Sequence, residues 1–160
     1  VQLARHFDTA KQTEKALEYY IMAARQAVQM AGFQEAISHY ERALELLLSL
    51  PESPAGEEQE LALQLQLGIA FQTIQGFAHP KVGQAYKRAW ELCQSVGNTT
   101  QLVTTQQLLF SYYANMAEHE TAYQILASLV DTCPTCEYGI DTTKANRSVN
   151  VLAESLLGYC

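Results

Sequence analysis

The sequence predicts an all-α protein of about seven antiparallel helices, and three observations lead to this prediction. Apolar residues recur with helical spacing along nearly all of the chain before Cys133, whereas the alternation typical of strands is scarce. Short breaks rich in Gly, Pro, Asn and Thr separate the helical segments, so consecutive helices are expected to fold back on each other. Small residues recur on the predicted helix faces, which allows close approach between neighbours.

Local chemistry at each break sets the expected helix ends. Pro51 and Pro54, together with Gly56, are expected to stop the third helix. Pro80 suits the first turn of the fifth helix, because its missing N–H has no partner there in any case. The predicted breaks lie near Ala10–Gln12, at Gly32, over "PESPAG", over "GFAHP", over "GNTT", near Glu118 and from Cys133 to Asn146. The last of these, residues 133–146, is expected to be an irregular loop before a final partial repeat.

The stretch "GFQEAISHYERALELL" shows how two neighbouring helices are expected to meet. Ala36, Tyr40 and Ala43 follow one another at spacings of four and three, so they share one face of the helix. We expect this face to be buried against the Tyr20–Ala27 face of the preceding helix. The alanines allow the two helices to approach closely, and the tyrosine fills the space beside them.

Composition restricts the function classes. The chain has 17 acidic residues against 10 Lys and Arg, a net charge of −7 and no basic cluster, so nucleic acid is not expected as a partner. No apolar run of about eighteen residues is present, so neither a membrane span nor a membrane partner is expected. Four cysteines are too few for a disulfide scaffold of this length, which favours a cytoplasmic location.

Three segments follow one internal pattern, seen best in the third. Leu109, Tyr113, Ala122, Leu126 and Pro134 stand at the spacing of the tetratricopeptide pattern, whose first helix carries Leu-Gly-x2-Tyr and whose second carries Ala-x3-Phe before a Pro. The middle segment has Leu-Gly-x2-Phe and then Val-x3-Tyr. The segments repeat at a longer period than the usual value of about 34 residues, so HEAT or armadillo repeats, at about 40 to 47, remain an alternative.

The segment Leu3–Val130 resembles the helical-repeat region of large signalling ATPases. In that family an ATPase module precedes the repeats, and an adenylate/guanylate cyclase, a serine/threonine kinase, a histidine kinase or a LuxR-type regulator is often attached. The resemblance rests on Leu3-Ala4-x-His6-Phe7, Glu14-Lys15-Ala16-Leu17, Glu35-Ala36, Ala43-Leu44-x-Leu46-Leu47, Leu67-Gly68 and Tyr86 to Cys93.

The resemblance implies a regulatory tetratricopeptide-like α-solenoid. Residues 1–160 would then form a single helical-repeat domain, cut from a larger protein and truncated at both ends. Its partner would be a protein or peptide segment, including one from the same parent chain, and its uncapped ends would favour self-association. The alternative is a structural spacer or oligomerisation module that has no free peptide groove.

In tetratricopeptide repeats the first helix of each pair lines the binding groove. Relatives that bind chaperone carboxylates use Lys and Asn at several of these places, and this chain has different residues there, so a carboxylate clamp is not expected. By position in the resemblance, the groove candidates are Ile21, Arg25, Val28, Leu65, Ile69, Gln72, Gln107, Ser111 and Asn115.

The residues that could carry chemistry form no recognised catalytic arrangement, so we predict neither enzyme activity nor a cofactor. The pair Cys133 and Cys136 has the spacing of half a zinc site or a redox pair, but no further ligands follow at a matching spacing. We therefore predict no metal. The histidines are expected to be solvated or capping, and the acidic stretch "GEEQE" is explained by the dipole of a helix that begins there.

Overall fold

The computed structural model describes residues 2–96 and 99–132, with the side chains of 2–96, 101–125 and 128. These residues form helices, turns and short links, and none of them lies in a strand, which confirms the all-α prediction for the part described. The helices are α1 (Gln2–Thr9), α2 (Thr13–Gln29), α3 (Phe33–Leu48), α4 (Pro54–Gln75), α5 (Pro80–Val96), α6 (Thr99–Asn115) and α7 (His119–Thr132).

The helix ends follow the predicted chemistry, with one correction. α5 begins at Pro80, as expected. The prediction that Pro54 and Gly56 help to stop the third helix is wrong, because both belong to the first turn of α4. There the Gly56 N–H donates to Ser53 Oγ at 3.1 Å, so Ser53 is the N-cap and Pro54 takes the first helical position. α4 ends at Gln75, and the C-cap Gly76 has a φ of 86°, in the left-handed region that favours glycine.

The chain forms two compact units, Val1–Asn98 and Thr99–Cys160. In the first unit each helix from α1 to α4 packs on the next one along the chain. α4 and α5 are antiparallel, because Ser95 near the end of α5 donates from Oγ to Glu57 at the start of α4, at 2.8 Å. In the second unit α7 packs on α6, and Gln106 Nε2 donates to Ser128 Oγ at 3.1 Å.

The predicted seam between α2 and α3 is buried. Ala36 and Ala43 are fully covered, and Tyr40 between them is 1% exposed. On the facing helix Tyr20 and Ala24 are buried as well. The predicted burial of these faces is thus confirmed, and α2 packs on α3.

The seam between α4 and α5 shows why small residues are needed in this fold. A Cβ atom added to Gly68 would lie 2.3 Å from Cε1 of Tyr86, so only glycine leaves room for that ring. Tyr86 is fully buried, and burial raises the pKa of its phenol to about 12. Its hydroxyl donates to Gln72 Oε1 at 2.9 Å, which satisfies the polar end of the ring.

Candidate functional site

Six of the nine groove candidates lie in the first unit, on one face each of α2 and α4. On α2, Ile21 and Val28 are half-buried and Arg25 is exposed. On α4, Leu65 is half-buried and Ile69 is 41% exposed. The spacing of four and three residues places each trio along one face of its helix. The apolar candidates on α2 and α4 are therefore at least partly accessible to solvent, and none of them is fully buried.

Gln72, the third candidate on α4, has a structural partner that the sequence did not predict. Its side-chain oxygen accepts the hydrogen bond from Tyr86, so its carboxamide belongs to the seam between α4 and α5. Gln72 remains half-buried. The hydrogen bond from Tyr86 therefore holds the Gln72 carboxamide.

The other three candidates lie on α6 in the second unit. Gln107 and Asn115 are exposed, and Ser111 is half-buried. The Ser111 hydroxyl donates to the Gln107 carbonyl at 3.0 Å, and Asn115 Nδ2 donates to the Ser111 carbonyl at 2.7 Å. Both side chains thus bond back to the preceding turn of their own helix. This face of α6 is therefore polar, and two of its side chains already donate hydrogen bonds to backbone carbonyls of the same helix.

An ion pair behind the α4 face was missed by the sequence analysis. The carboxylate of Glu60, which is 7% exposed, accepts from Arg88 Nε at 2.7 Å and from Arg88 Nη2 at 3.1 Å. These hydrogen bonds raise the pKa of the Arg88 guanidinium. The helix-dipole explanation fits Glu57 in the first turn of α4, but it is wrong for Glu60, which is the buried partner of an arginine on α5.

A second ion pair ties α1 to α3. Arg42 donates from Nε to Asp8 Oδ2 at 3.0 Å and from Nη2 to Asp8 Oδ1 at 2.9 Å. The Tyr20 hydroxyl of α2 also donates to Asp8 Oδ2, at 3.4 Å. The hydrogen bond from Arg42 holds the pKa of Asp8 below its ordinary value. Three helices therefore meet at this one carboxylate.

A short repeated sequence motif could have revealed both arginines. "YERALEL", starting at Tyr40, and "YKRAWEL", starting at Tyr86, share Tyr-x-Arg-Ala-x-Glu-Leu. In both copies the tyrosine is buried and the arginine pairs with the glutamate three residues later. In both copies the arginine also reaches a carboxylate on another helix. The motif is therefore a packing unit that carries its own ion pair.

The prediction that the histidines are solvated or capping is wrong for His39. His39 is buried, and its ring lies 5.9 Å from the ring of Tyr20. Its Nε2 lies 3.5 Å from Glu35 Oε1 and makes no hydrogen bond. The prediction holds for His79, whose Nδ1 accepts from the Lys81 N–H at 3.3 Å in the first turn of α5.

A small cavity of about 330 Å³ lies among α3, α4 and α5. Phe71 lies at its wall, and the ammonium group of Lys81 is 4.8 Å from the centre of that ring. The same ammonium lies 3.0 Å from Glu41 Oε1, and the guanidinium of Arg88 is paired with Glu60. Because these charged side chains are already paired within the protein, we expect them to bind a charged ligand only weakly.

Among the residues that the structure describes, no group of three or more His, Cys, Asp or Glu side chains could hold a metal ion. Cys133 and Cys136 lie outside the described residues. No helix of the described part is both long and apolar enough to cross a membrane.

Comparison of the sequence with protein-family models finds no matching family, and comparison with curated proteins finds no match.

Replacing Asp8 by Asn should remove a pH-dependent contribution to stability. Because the folded pKa of Asp8 lies below its ordinary value of 3.8, this contribution is complete above about pH 4 and is lost as the pH falls through the folded pKa. The pair is partly exposed, so we expect Asp8→Asn to cost less than about 1 kcal/mol at pH 7. Urea unfolding from pH 7 down to pH 2.5 should show this difference shrinking below about pH 4. Glu52→Gln, at an exposed site, is the control, and a difference independent of pH would contradict the assignment.

Proposed function

We propose that this chain is a tetratricopeptide-type helical-repeat module that recognises another protein, as a regulatory part of a larger ATP-dependent signalling or transcription-regulating protein. The observation that carries the proposal is the fit of Tyr86 on Gly68. This fit joins the Leu-Gly place of a first helix to the aromatic place of a second helix, as the repeat pattern requires. At the equivalent places of α2 and α3, the small Ala24 and the large Tyr40 are both buried, which also supports the proposal.

The proposed recognition face consists of Ile21, Arg25 and Val28 on α2 with Leu65 and Ile69 on α4. Its apolar side chains are half-buried or exposed, and the guanidinium of Arg25 is exposed. Such a mixture suits an amphipathic segment of a protein. Burial of the apolar groups would stabilise the complex, and the cation would favour one orientation of the bound segment. The net charge of −7 disfavours nucleic acid as the ligand. The low cysteine count and the lack of a recognised catalytic arrangement in the sequence are the grounds on which we propose a cytoplasmic, non-enzymatic role.

A structural spacer or oligomerisation module is the second candidate function, and one observation favours it. Leu3 is 55% exposed and Met22 is 61% exposed on the surface formed by α1 and α2. Exposed apolar side chains next to each other favour a contact between chains. A HEAT-like repeat would serve either function, and it differs from the proposal only in the type of repeat.

The recognition face is tested by Ile69→Glu. Helical peptides selected from a displayed amphipathic library on the unmodified protein would be titrated against it by calorimetry. A carboxylate placed against an apolar anchor should weaken their binding by about 30-fold or more. Ile74→Glu is a matched control, since Ile74 is 44% exposed on the same helix but lies on another face.

Circular dichroism would verify that both variants remain helical. Equal loss of binding in the two variants, or binding that persists in Ile69→Glu, would place recognition elsewhere. If no selected peptide binds saturably, the spacer function is favoured over the proposed one.

A further inference from the structure

A wide groove lies between the start of α1 and the exposed side of α2, next to the proposed recognition face. Its volume is about 780 Å³. Leu3 and Met22 provide exposed apolar surface there, and the small, buried side chain of Ala23 forms part of the lining. The lining residues are Gln2, Leu3, Tyr19, Met22, Ala23, Arg25, Gln26 and Gln29. Most of these side chains are uncharged, so the groove suits a helix with an apolar side chain at its centre.

The charges beside this groove have a regular order along α2. Glu14, Glu18, Met22, Arg25 and Gln29 follow one another at spacings of four, four, three and four, so they form one stripe, and all five are exposed. The acidic residues precede Met22 and the cation follows it. Neither Glu18 nor Arg25 forms an ion pair within residues 2–96. Their charges are therefore available to another molecule.

We propose that a second copy of this chain binds here, with the two α2 helices antiparallel about a twofold axis beside Met22. In this arrangement Arg25 of each copy faces the partner's Glu18, so the ion pair forms twice. Met22 of each copy enters the partner's groove beside Leu3, where its flexible thioether can fill an irregular space. The same patch serves on both chains, as an isologous contact requires.

The charge order makes a second copy of this helix a complementary partner. A stripe that is acidic in its first half and basic in its second is complementary to itself only when the helix is reversed. In a parallel pair, Glu18 would face the partner's Glu18 and Arg25 the partner's Arg25, and both contacts would be repulsive. The inference does not rest on the proposed function, because the stripe and the groove carry it without any residue of α4. The dimer would border on the recognition face at Arg25 and at Ile21, which lies opposite the partner's Met22 when Arg25 faces Glu18.

Analytical ultracentrifugation of the whole chain over a range of concentrations tests the proposal. The unmodified protein should be a dimer. Met22→Glu, Glu18→Arg and Arg25→Glu should each raise the dimer dissociation constant about tenfold or more, because each introduces two unfavourable contacts per dimer. Leu48→Glu is the control, since Leu48 is 66% exposed at the end of α3, away from the stripe, and the variant should dimerise normally.

A mixing experiment makes the test specific to the proposed register. Glu18→Arg and Arg25→Glu should each be largely monomeric alone and should form a heterodimer when mixed, because every pair across the axis then joins opposite charges. Circular dichroism would confirm that each variant is folded. The proposal is overturned if the unmodified protein is monomeric, if the mixture stays monomeric, or if Leu48→Glu weakens the dimer as much as Met22→Glu does. Ile69→Glu, which tests the recognition face, should leave the dimer intact.

Discussion

Replacing Gly68 by Ala is expected to destabilise the protein by about 1–3 kcal/mol, although alanine is the better helix former. A Cβ at this position would lie 2.3 Å from Cε1 and 2.8 Å from Cδ1 of Tyr86. Tyr86 is fully buried and its hydroxyl is bonded to Gln72, so the ring has little freedom to move away. The overlap between the new Cβ and the ring must then move α4 away from α5 or distort the side-chain rotamer of Tyr86. Urea unfolding followed by circular dichroism measures the loss.

A double-mutant cycle with Tyr86→Ala isolates the cause. Tyr86→Ala alone should cost about 3–5 kcal/mol, so the cycle is measured in a stabilising osmolyte. In the Tyr86→Ala background the overlap is gone, and Gly68→Ala should stabilise the helix by about 1 kcal/mol through its higher propensity. A change of sign between the two backgrounds would establish the contact as the reason for glycine. If Gly68→Ala has the same effect in both, the contact has been wrongly assigned.

Replacing Arg88 by Met is expected to cost about 2–3 kcal/mol, because it leaves the carboxylate of Glu60 buried without its partner. Methionine keeps most of the length of the aliphatic stem. The loss of stability therefore reports on the charge and the hydrogen bonds of Arg88 more than on its packing. The matched control is Arg42→Met at the equivalent place of the repeated motif. Its partner Asp8 lies near the end of a short helix and is more exposed than Glu60, so this change should cost less than about 1 kcal/mol.

The double variant Glu60→Leu with Arg88→Met distinguishes a buried ion pair from a simple packing effect. Removal of both charges should recover most of the stability lost in Arg88→Met, because no uncompensated charge remains. Thermal and urea unfolding of the four proteins give the coupling free energy. A double variant as unstable as Arg88→Met alone would show that the arginine stem, and not the charge, provides the stabilisation.

In the part of the chain that the structure describes, the sequence by itself determined the helices and the burial of the small-residue faces. Pro80 at the start of α5 and the small residues Ala36 and Ala43 were interpreted correctly, since each acts within one or two turns of its own helix. Pro54 was misassigned for a reason that is also local. A proline is compatible both with the end of one helix and with the first turn of the next, and the Ser53 cap decided between them. Periodicity, caps and small residues are properties of neighbouring positions, so they can be read without the fold.

Only the tertiary structure decided which polar groups meet. Glu60 is buried because α5 brings Arg88 to it, and Gln72 is held by the hydroxyl of Tyr86. His39 is buried because its helix turns that side toward Tyr20. Each contact depends on the register between two helices, and no local pattern specifies that register. A helix period states which residues share a face, but the packing of whole helices determines which side chains on those faces come within bonding distance.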